Sequence, residues 1–453
     1  MPPDYYRYLH DMKNVLIVAY YFPPSGGPGV QRVLKYVQYL HEFGWRPIVL
    51  TVTDGNFPAR DESLLKEIPP HVKVIRTDIF EPYDLYRKLT GKEKSVAIDV
   101  NTIRKEGTSI PMSERVSELI RATFFIPDAR IGWFNPAMKA GMQAIADEKI
   151  DAIYSSSPPY TCALIARGLH RKSGLPWVAG FRDPWTGFIT TPKRWQIPAR
   201  IDRALEFAVF READAIEVAW TGIMKDALGK YPHLPPEKFH HLPNGFDSAD
   251  FPAVDTGERT DDRFTVTYTG SMYGRRNPDA FLRAVESLAR RGEIDPGRIR
   301  LRFIGRFGEE VLEMFRTSDL HDSIEIVGYM SHGESIRQLF LADALLLVVD
   351  ECDESDEVVP GKVYEYIGSG RPVIAVAPEK SAIADLVAET RGGFVAHQSN
   401  VAGIAEAFLA LYRDHLSGSH SLVPDPAAIA RYERRTVTGE LARLLDHVVA
   451  KPR

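Results

Sequence analysis

The run NVLIVAY at 14–20 carries no charge and is followed at once by the turn-forming PPSGGPG. An uncharged, β-branched run of this kind reads as a strand buried on both faces, the condition of a parallel sheet enclosed by helices. The next stretch, VQRVLKYVQYLHEFG, sets Val33, Leu34, Val37 and Leu40 on one helical face, and Gly44 stops it. RPIVLTVT supplies a second strand and KVIRT (73–77) a third. Strand, helix, strand in this order demands a parallel pair with the helix packed across it.

The alternation pauses at 80–130, which is charged, poor in long apolar runs and predicted to hold one or two helices such as MSERVSELIRATFF. It resumes with helices near 135–148, 160–172 and 199–212. Between and after them come the strands DAIYSS (151–156), PWVAGF (176–181) and AIEVAW (215–220). HHLPNGFDSADF (240–251) is turn chemistry. Beyond it FTVTYTG (264–270), IRLRFIG (299–305), SIEIVGY (323–329), DALLLVV (343–349) and RPVIAVA (371–377) begin the pattern afresh.

The expected fold class is α/β: two Rossmann-like, doubly wound parallel-sheet domains facing each other across a cleft. The first is expected at 1–245, including the excursion 80–130, and the second at 246–425. A last helix, 428–449 within the C-terminal stretch 426–453, is expected to pack back on the first. The 453 residues suit two or three domains of roughly 150 each.

Composition sets limits on function. With 44% hydrophobic and 26% charged residues, neither a disordered chain nor a coiled coil is a reasonable description. The net charge of −5 gives no reason to expect nucleic acid as a partner. It divides unevenly: residues 1–250 hold 32 basic and 29 acidic side chains (+3), and 251–453 hold 24 and 32 (−8). The first half is therefore the one expected to face an anionic surface or acceptor. Cys162 and Cys352 build neither a disulfide framework nor a zinc site, which fits a reducing cytosol. The opening MPPDYYRYLHDMKN lacks the apolar core of a signal peptide, and ALLLVV (344–349) is far short of the ~18–20 residues that span a bilayer. A cytoplasmic protein is expected, attached at most to the inner face of a membrane. The segment 191–210 supplies a reason for such attachment. It interleaves Lys193, Arg194, Arg200 and Arg203 with Trp195, Ile197 and Phe207, a mixture suited to an anionic bilayer or a lipid-linked acceptor. A packed helix with solvated arginines is the plainer account of the same residues.

Two loops carry the candidate chemistry. In FPPSGGPGVQR, Gly26, Gly27 and Gly29 let the backbone approach a ligand at a helix N-terminus, where free N–H groups favour phosphate. A tight turn explains the same glycines. A dinucleotide fingerprint would need a third glycine where Arg32 stands, and no GxxxxGK[ST] phosphate loop occurs. In EVVPGKVYEYIGSGRPVIA (357–375), a helix starting near Pro360 would aim the N–H groups of Gly361, Lys362 and Val363 at an anion. Glu365, a turn inside, could accept two hydrogen bonds from a ribose diol, and Glu357, in the preceding loop, could reach a sugar hydroxyl. No Asp-x-Asp and no helical His pair offer a metal site, so none is expected; the acidic run DECDESDE (350–357) reads as a solvated loop. No GxSxG elbow follows a strand either.

Glu-x7-Glu, the following GSGRPVIA, the early GG loop and the PNGFD turn together resemble the retaining family 4 glycosyltransferases of the GT-B fold. YYFPPSGG, SSSPPYT and FRDPW resemble a bacterial branch of that family. The resemblance implies a nucleotide-diphosphate sugar as donor, a glycan, lipid-linked or small hydroxyl acceptor, and no cofactor. It implies that Glu365 holds the nucleotide ribose, Glu357 meets the donor sugar, and the Gly361–Val363 amides cradle the diphosphate. In TGSMYGRRNPD (269–279) the family has an Arg directly after the first Gly and a Lys about five later. Ser271 holds the first place here and Arg276 the second, with Arg275 beside it. Tyr329 stands where the family recognises the base, and Gly27 where a loop approaches donor phosphate and sugar. The family's active-site His has no counterpart in SSSPP or FRDPW, leaving Asp183 as the polar candidate there, with Arg182 beside it on the acceptor side. Two other functions stay open: a binding or scaffold subunit that kept the fold without turnover, and an epimerase acting on the sugar nucleotide alone.

Overall fold

The computed structural model describes residues 12–80, 122–123, 125–188, 191, 193–252, 261–274, 276–349 and 359–451. They belong to two compact units. One runs to Asn244 and takes up the chain again from Arg434; the other spans Gly245–Glu433.

The first unit contains β1 (Lys13–Val18), α1 (Pro28–Tyr39), β2 (Trp45–Val52), β3 (Lys73–Thr77), α2 (Phe134–Glu148), β4 (Ala152–Ser157), α3 (Thr161–Ser173), β5 (Trp177–Phe181), α4 (Gln196–Glu212), β6 (Ala215–Val218), α5 (Thr221–Lys230) and β7 (Phe239–His241). Among the described residues these strands make one sheet in the order β3-β2-β1-β4-β5-β6-β7, every pair parallel. The period of two in a strand sends alternate side chains to opposite faces. Leu16, Val18, Ile48, Leu50 and Ile153 enter a core under α2 and α3. Val15, Ile17 and Val49 enter a second core with Val33, Leu34 and Val37 of α1. Each such buried side chain contributes about 1.5–3 kcal/mol, and with both faces of the sheet covered the uncharged runs bury nearly every side chain they carry.

The second unit contains β8 (Phe264–Thr269), α6 (Asp279–Arg290), β9 (Ile299–Ile304), α7 (Glu309–Thr317), β10 (Ile324–Val327), α8 (His332–Phe340), β11 (Ala344–Val348), α9 (Lys362–Gly368), β12 (Val373–Val376), α10 (Ala382–Thr390), β13 (Gly393–Ala396), α11 (Val401–Ser417) and α12 (Pro426–Ala430). Its sheet runs β10-β9-β8-β11-β12-β13, again parallel throughout. Then α13 (Arg434–Ala450) returns to the first unit, where Val437, Leu441 and Leu445 join the core beneath α1. Asp446 on the same helix accepts hydrogen bonds from Trp45 Nε1 at 3.1 Å and Lys13 Nζ at 2.7 Å.

Three details depart from the sequence reading. The helix expected at 428–449 is two helices, broken at Arg431–Glu433, where Tyr432 gives its carbonyl to Phe246 N and Glu433 takes the N–H of Ser248. The short strands β7 and β13 complete the two sheets from segments read only as turn or connection. Of the segment 80–130, the MSERVSELIRATFF helix lies almost wholly outside the described residues, only 122, 123 and 125 of it falling among them.

Candidate functional site

In a doubly wound parallel sheet the strand order reverses once, and the loops leaving the carboxyl ends of the two strands at that reversal diverge to opposite faces. They leave a crevice with backbone polar groups at its mouth. In the first unit the reversal falls between β1 and β4, in the second between β8 and β11. Most of the candidate residues of the described chain leave from these strands or from their neighbours.

In the second unit, β8 is followed by Gly270 at φ +110°, and β9 by Gly305 at φ +143°. A Cβ on Gly305 would come within 2.1 Å of the Gly270 carbonyl oxygen, so only glycine permits these two strand ends to lie so close. The loops beyond are laced together: Met272 N donates to Arg306 O at 3.0 Å and Gly308 N to Met272 O at 2.9 Å. Ser271 is thereby held in place, its carbonyl also accepting from the Tyr268 hydroxyl at 3.0 Å.

The opposite wall is α9. Lys362, its first residue, reaches back with Nζ 2.9 Å from Thr269 O and 3.7 Å from the centre of the Tyr268 ring. A Cβ on Gly270 would lie 3.5 Å from the same nitrogen. The ammonium thus sits at the mouth of β8, against the face of an aromatic ring that attracts it electrostatically. Tyr366, one turn on, accepts the Thr269 N–H at 2.8 Å, and burial pushes its phenol well above the ordinary range. Glu365 lies between these anchors. Its Oε1 is 2.9 Å from Nε2 of His332, the first residue of α8. That end of α8 is fixed by a capping box in which Ser331 and Glu334 exchange side-chain and backbone hydrogen bonds.

One sequence expectation needs correction. The Val363 N–H donates to Pro360 O at 3.1 Å, closing a turn at the start of α9. Of the amides assigned to an anion cradle, that of Val363 is thus taken up within the chain. Tyr329 is 74% exposed beyond β10, with the Arg306 guanidinium 5.1 Å over its ring. Arg276 lies in the loop after Gly274, its N–H bonded to Tyr273 O at 3.2 Å. Arg275 and Glu357 lie outside the described residues, as does the acidic run 350–357.

In the first unit, the loop after β1 turns at Gly27, φ +94°, into α1, with Pro28 at its first position. Arg182, just past the end of β5, covers that first turn: a Cβ on Gly29 would meet its Nη2 at 3.4 Å. The guanidinium is held by Ser156 Oγ at 2.5 Å and by Pro158 O in the loop after β4. Its backbone carbonyl accepts from Trp220 Nε1 at 3.2 Å. Asp183 follows, partly buried, and burial pushes its carboxyl above the usual range while Arg182 pulls it down. Trp185 of the same FRDPW stretch is fully buried, stacked on Tyr160 at 4.7 Å and bonded to Asp202. That tryptophan is a packing anchor, whereas Asp183 points to no protein hydrogen-bond donor among the described residues.

Arg32, which spoils the dinucleotide fingerprint, is buried in α1. It pairs with Glu217 and donates to the carbonyls of Leu242 and Pro243 and to Asn244 Oδ1. The third glycine is replaced by a strut from the Gly-rich helix to the Pro-Asn-Gly turn. The side chains of Lys362, His332 and Arg306 were missed by sequence reasoning. A cation two residues after Pro360 was available as a signal for the first; nothing local marked the other two. Among the described residues no three His, Cys, Asp or Glu side chains gather as metal ligands.

Residues 102–250 match the family description "Glycosyltransferase Family 4" and residues 263–414 "Glycosyl transferases group 1". Among solved structures the chain is similar to a glycosyltransferase from Rickettsia africae, with 12% identity, TM-score 0.61, 98% of this chain and 100% of that one. It is also similar to a sucrose-phosphate synthase from Thermosynechococcus elongatus, with 13% identity, TM-score 0.54 and 96% of each chain. A third is the lipopolysaccharide outer core galactosyltransferase WaaB, with 12% identity, TM-score 0.53, 95% of this chain and 99% of that one. At these identities the likeness is one of fold. No curated protein sequence matches the chain.

Proposed function

With a family 4 domain at 102–250 and a group 1 domain at 263–414, the chain belongs to the glycosyltransferases that draw a sugar from a nucleotide donor, and we propose that it transfers that sugar with retention to a hydroxyl acceptor, without a metal ion, in cell-surface glycan or glycoconjugate assembly. The observation that carries the reading is the array at the second unit's strand reversal. A carboxylate (Glu365) one turn into α9 suits a ribose diol, and a cation (Lys362) at the start of that helix suits a diphosphate.

The chemistry follows from what must leave. The bond from the sugar C1 to the diphosphate oxygen breaks, its electron pair stays on that oxygen, and the sugar becomes oxocarbenium-like. Lys362, Arg276 and the N-terminal amides of α9 are the groups that would meet the developing negative charge, fixed dipoles and cations being most effective where water is excluded. The acceptor oxygen forms its bond to C1 on the face the diphosphate leaves, and its proton passes to a diphosphate oxygen. Such a route needs no carboxylate nucleophile. Asp183 and Arg182 in the first unit then orient the acceptor. A lipopolysaccharide outer core galactosyltransferase shares the fold, which supports a surface-glycan setting for this chain.

Incubation with uridine, guanosine, adenosine and thymidine diphosphate sugars, with alcohol acceptors, tests this. Release of nucleoside diphosphate, with a product of the donor's anomeric configuration, is expected. Tight donor binding with no release would make the chain a binding subunit. An inverted product would discard retention, and a C2-epimerised donor would replace transfer by epimerisation.

A further inference from the structure

Nothing in the sugar-transfer reading uses the outer face of α4, and that face has an unusual makeup. Trp195, immediately before the helix, is 46% exposed, Ile197 57% and Ile201 47%. Ile197, Ile201, Ala204 and Ala208 follow one another at helical spacing of i, i+4, i+7 and i+11, so they form one stripe. Arg200, Arg203 and Arg211 run alongside it and Lys193 precedes it, all exposed. Two of the three acidic residues of the helix are committed elsewhere. Asp202 is buried against Arg194 at 2.8 Å and Trp185 at 2.9 Å, and Glu206 is buried against Thr186 and Tyr231. The third, Glu212, turns to Arg167 and Arg171, both at 2.7 Å, and also takes Arg211 at 3.4 Å. Among the described residues this leaves Arg200, Arg203 and Lys193 as the flank's uncompensated cations on this helix face.

Arg194, read from the sequence as part of the basic surface, is not on it. Its guanidinium is buried, bonded to Asp202 and to the carbonyls of Ala122, Phe125 and Pro127. Its role is to fix the segment that presents Trp195. The Trp195 indole N–H bonds Thr123 Oγ1 at 3.0 Å, which orients the ring while leaving nearly half of it in solvent.

We propose that this face docks on an anionic lipid surface. A helix lying in the plane of a membrane inserts a Trp and aliphatic side chains among the acyl boundaries while Lys and Arg meet the headgroup phosphates. The face supplies both, side by side: an apolar patch of Trp195, Ile197 and Ile201, and a basic flank with no exposed acid on the helix to oppose it. The face is the convex outside of a helix, and its excess charge is of one sign, which complements a uniformly negative plane. The docking is independent of what reaction the chain performs.

Cosedimentation of the full chain with vesicles tests it. The chain is expected to bind vesicles of phosphatidylcholine with phosphatidylglycerol at low salt, to bind pure phosphatidylcholine far less, and to be released at high salt. R200A/R203A should lower the partition coefficient about 25-fold, each basic side chain near such a surface being worth roughly fivefold. I197S/I201S should weaken binding at every salt concentration. All four positions are exposed, so melting temperatures should stay at the parent value. No binding of the parent to anionic vesicles, or equal binding by parent and both variants, overturns the proposal. So does self-association in sedimentation that I197S/I201S abolishes while vesicle binding is absent, which would give the face to a second copy of the chain.

Discussion

His332 Nε2 and Glu365 Oε1 stand 2.9 Å apart, joining the first turn of α8 to the first turn of α9 across two loops at the strand ends of the second unit. An ionised carboxylate only accepts hydrogen bonds, so the imidazole proton must be on Nε2 when Glu365 is charged. The histidine engages one carboxylate oxygen and leaves the other directed elsewhere. A residue that would bind a ribose diol is therefore oriented before any donor arrives.

Glu365→Ala should remove charge-assisted hydrogen bonds worth about 1.5–3 kcal/mol, a loss of roughly 10- to 150-fold in donor affinity. A ribose is held alike in ground and transition states, so KM for the donor should rise with kcat little changed. His332→Ala should raise the same KM by about 2- to 12-fold, as expected for a bond of 0.5–1.5 kcal/mol. The double variant should be no worse than Glu365→Ala alone. Steady-state kinetics with the donor varied checks all three, and additive effects would mean that His332 does not act through Glu365.

Lys362 bears on the leaving group. Lys362→Met keeps much of the stem and removes the ammonium that sits 2.9 Å from Thr269 O. If that charge stabilises departing diphosphate, kcat should fall by about 10²–10³, the usual cost of removing one preorganised donor of this type. A cation that merely ties α9 to β8 would show its loss in melting temperature with kcat intact. The two outcomes are separable by measuring both on the same preparation.

If fixed cations and backbone dipoles meet the leaving diphosphate, no divalent ion is needed. Activity should then persist, within about twofold, in a large excess of chelator. Loss of turnover in chelator, restored by manganese or magnesium, would return the acidic run 350–357 to consideration as a metal site.

The sheets were legible because their cause is local. NVLIVAY and ALLLVV are short, uncharged, β-branched or aliphatic runs of strand length that suit a strand covered on both faces, and the glycine loops follow directly from the strands at each reversal. His332 was not legible for the opposite reason. It sits in a polar SHGE turn, and its partner is thirty-three residues away in sequence, brought near only by strand order. Arg194 was misread because amphipathic interleaving cannot tell a solvated arginine from one whose carboxylate, Asp202, lies on the helix face turned inward. The Val363 amide was assigned to an anion by helix position, whereas the chain closes a turn one residue earlier. Pairing across the fold decides the first two cases, whereas the third is settled locally by the turn from Pro360 to Val363.

A stability prediction concerns the strut in the first unit. Glu217 is buried and accepts from Arg32, from Tyr36 at 3.0 Å and from Tyr154 at 2.5 Å. Burial alone would lower the Arg32 pKa, but Glu217 outweighs it and the guanidinium stays firmly charged. Glu217→Ala should therefore cost about 3–5 kcal/mol, since it strands that charge. Arg32→Met with Glu217→Met removes both charges together and should cost markedly less than the single change. Urea unfolding of the three proteins gives the comparison. Equal losses would mean that the packing of this cluster, and not its charge, is what matters.

Asp183 gives the last prediction, because its environment fixes a sign. Burial raises its pKa in the folded chain, with Arg182 only partly opposing. A raised carboxyl favours the protonated form, so its contribution to stability is fully present below the unfolded value of about 3.9 and is lost as pH rises through the folded value. At neutral pH the ionised group is a burden on the fold, and Asp183→Asn should raise the melting temperature there, the gain shrinking as pH falls toward about 4. Function should move the other way. An acceptor hydroxyl donating to ionised Asp183 would lose a charge-assisted bond in the variant, a drop in kcat/KM of roughly 10- to 150-fold at about pH 7.5. The parent's kcat/KM should fall on the acid side with a midpoint above the ordinary carboxylate range, and the variant should lack that limb. Higher stability with lower activity is the signature of a carboxylate kept for its chemistry. An unchanged acid limb in Asp183→Asn would assign the titration to another group and take Asp183 out of the acceptor site.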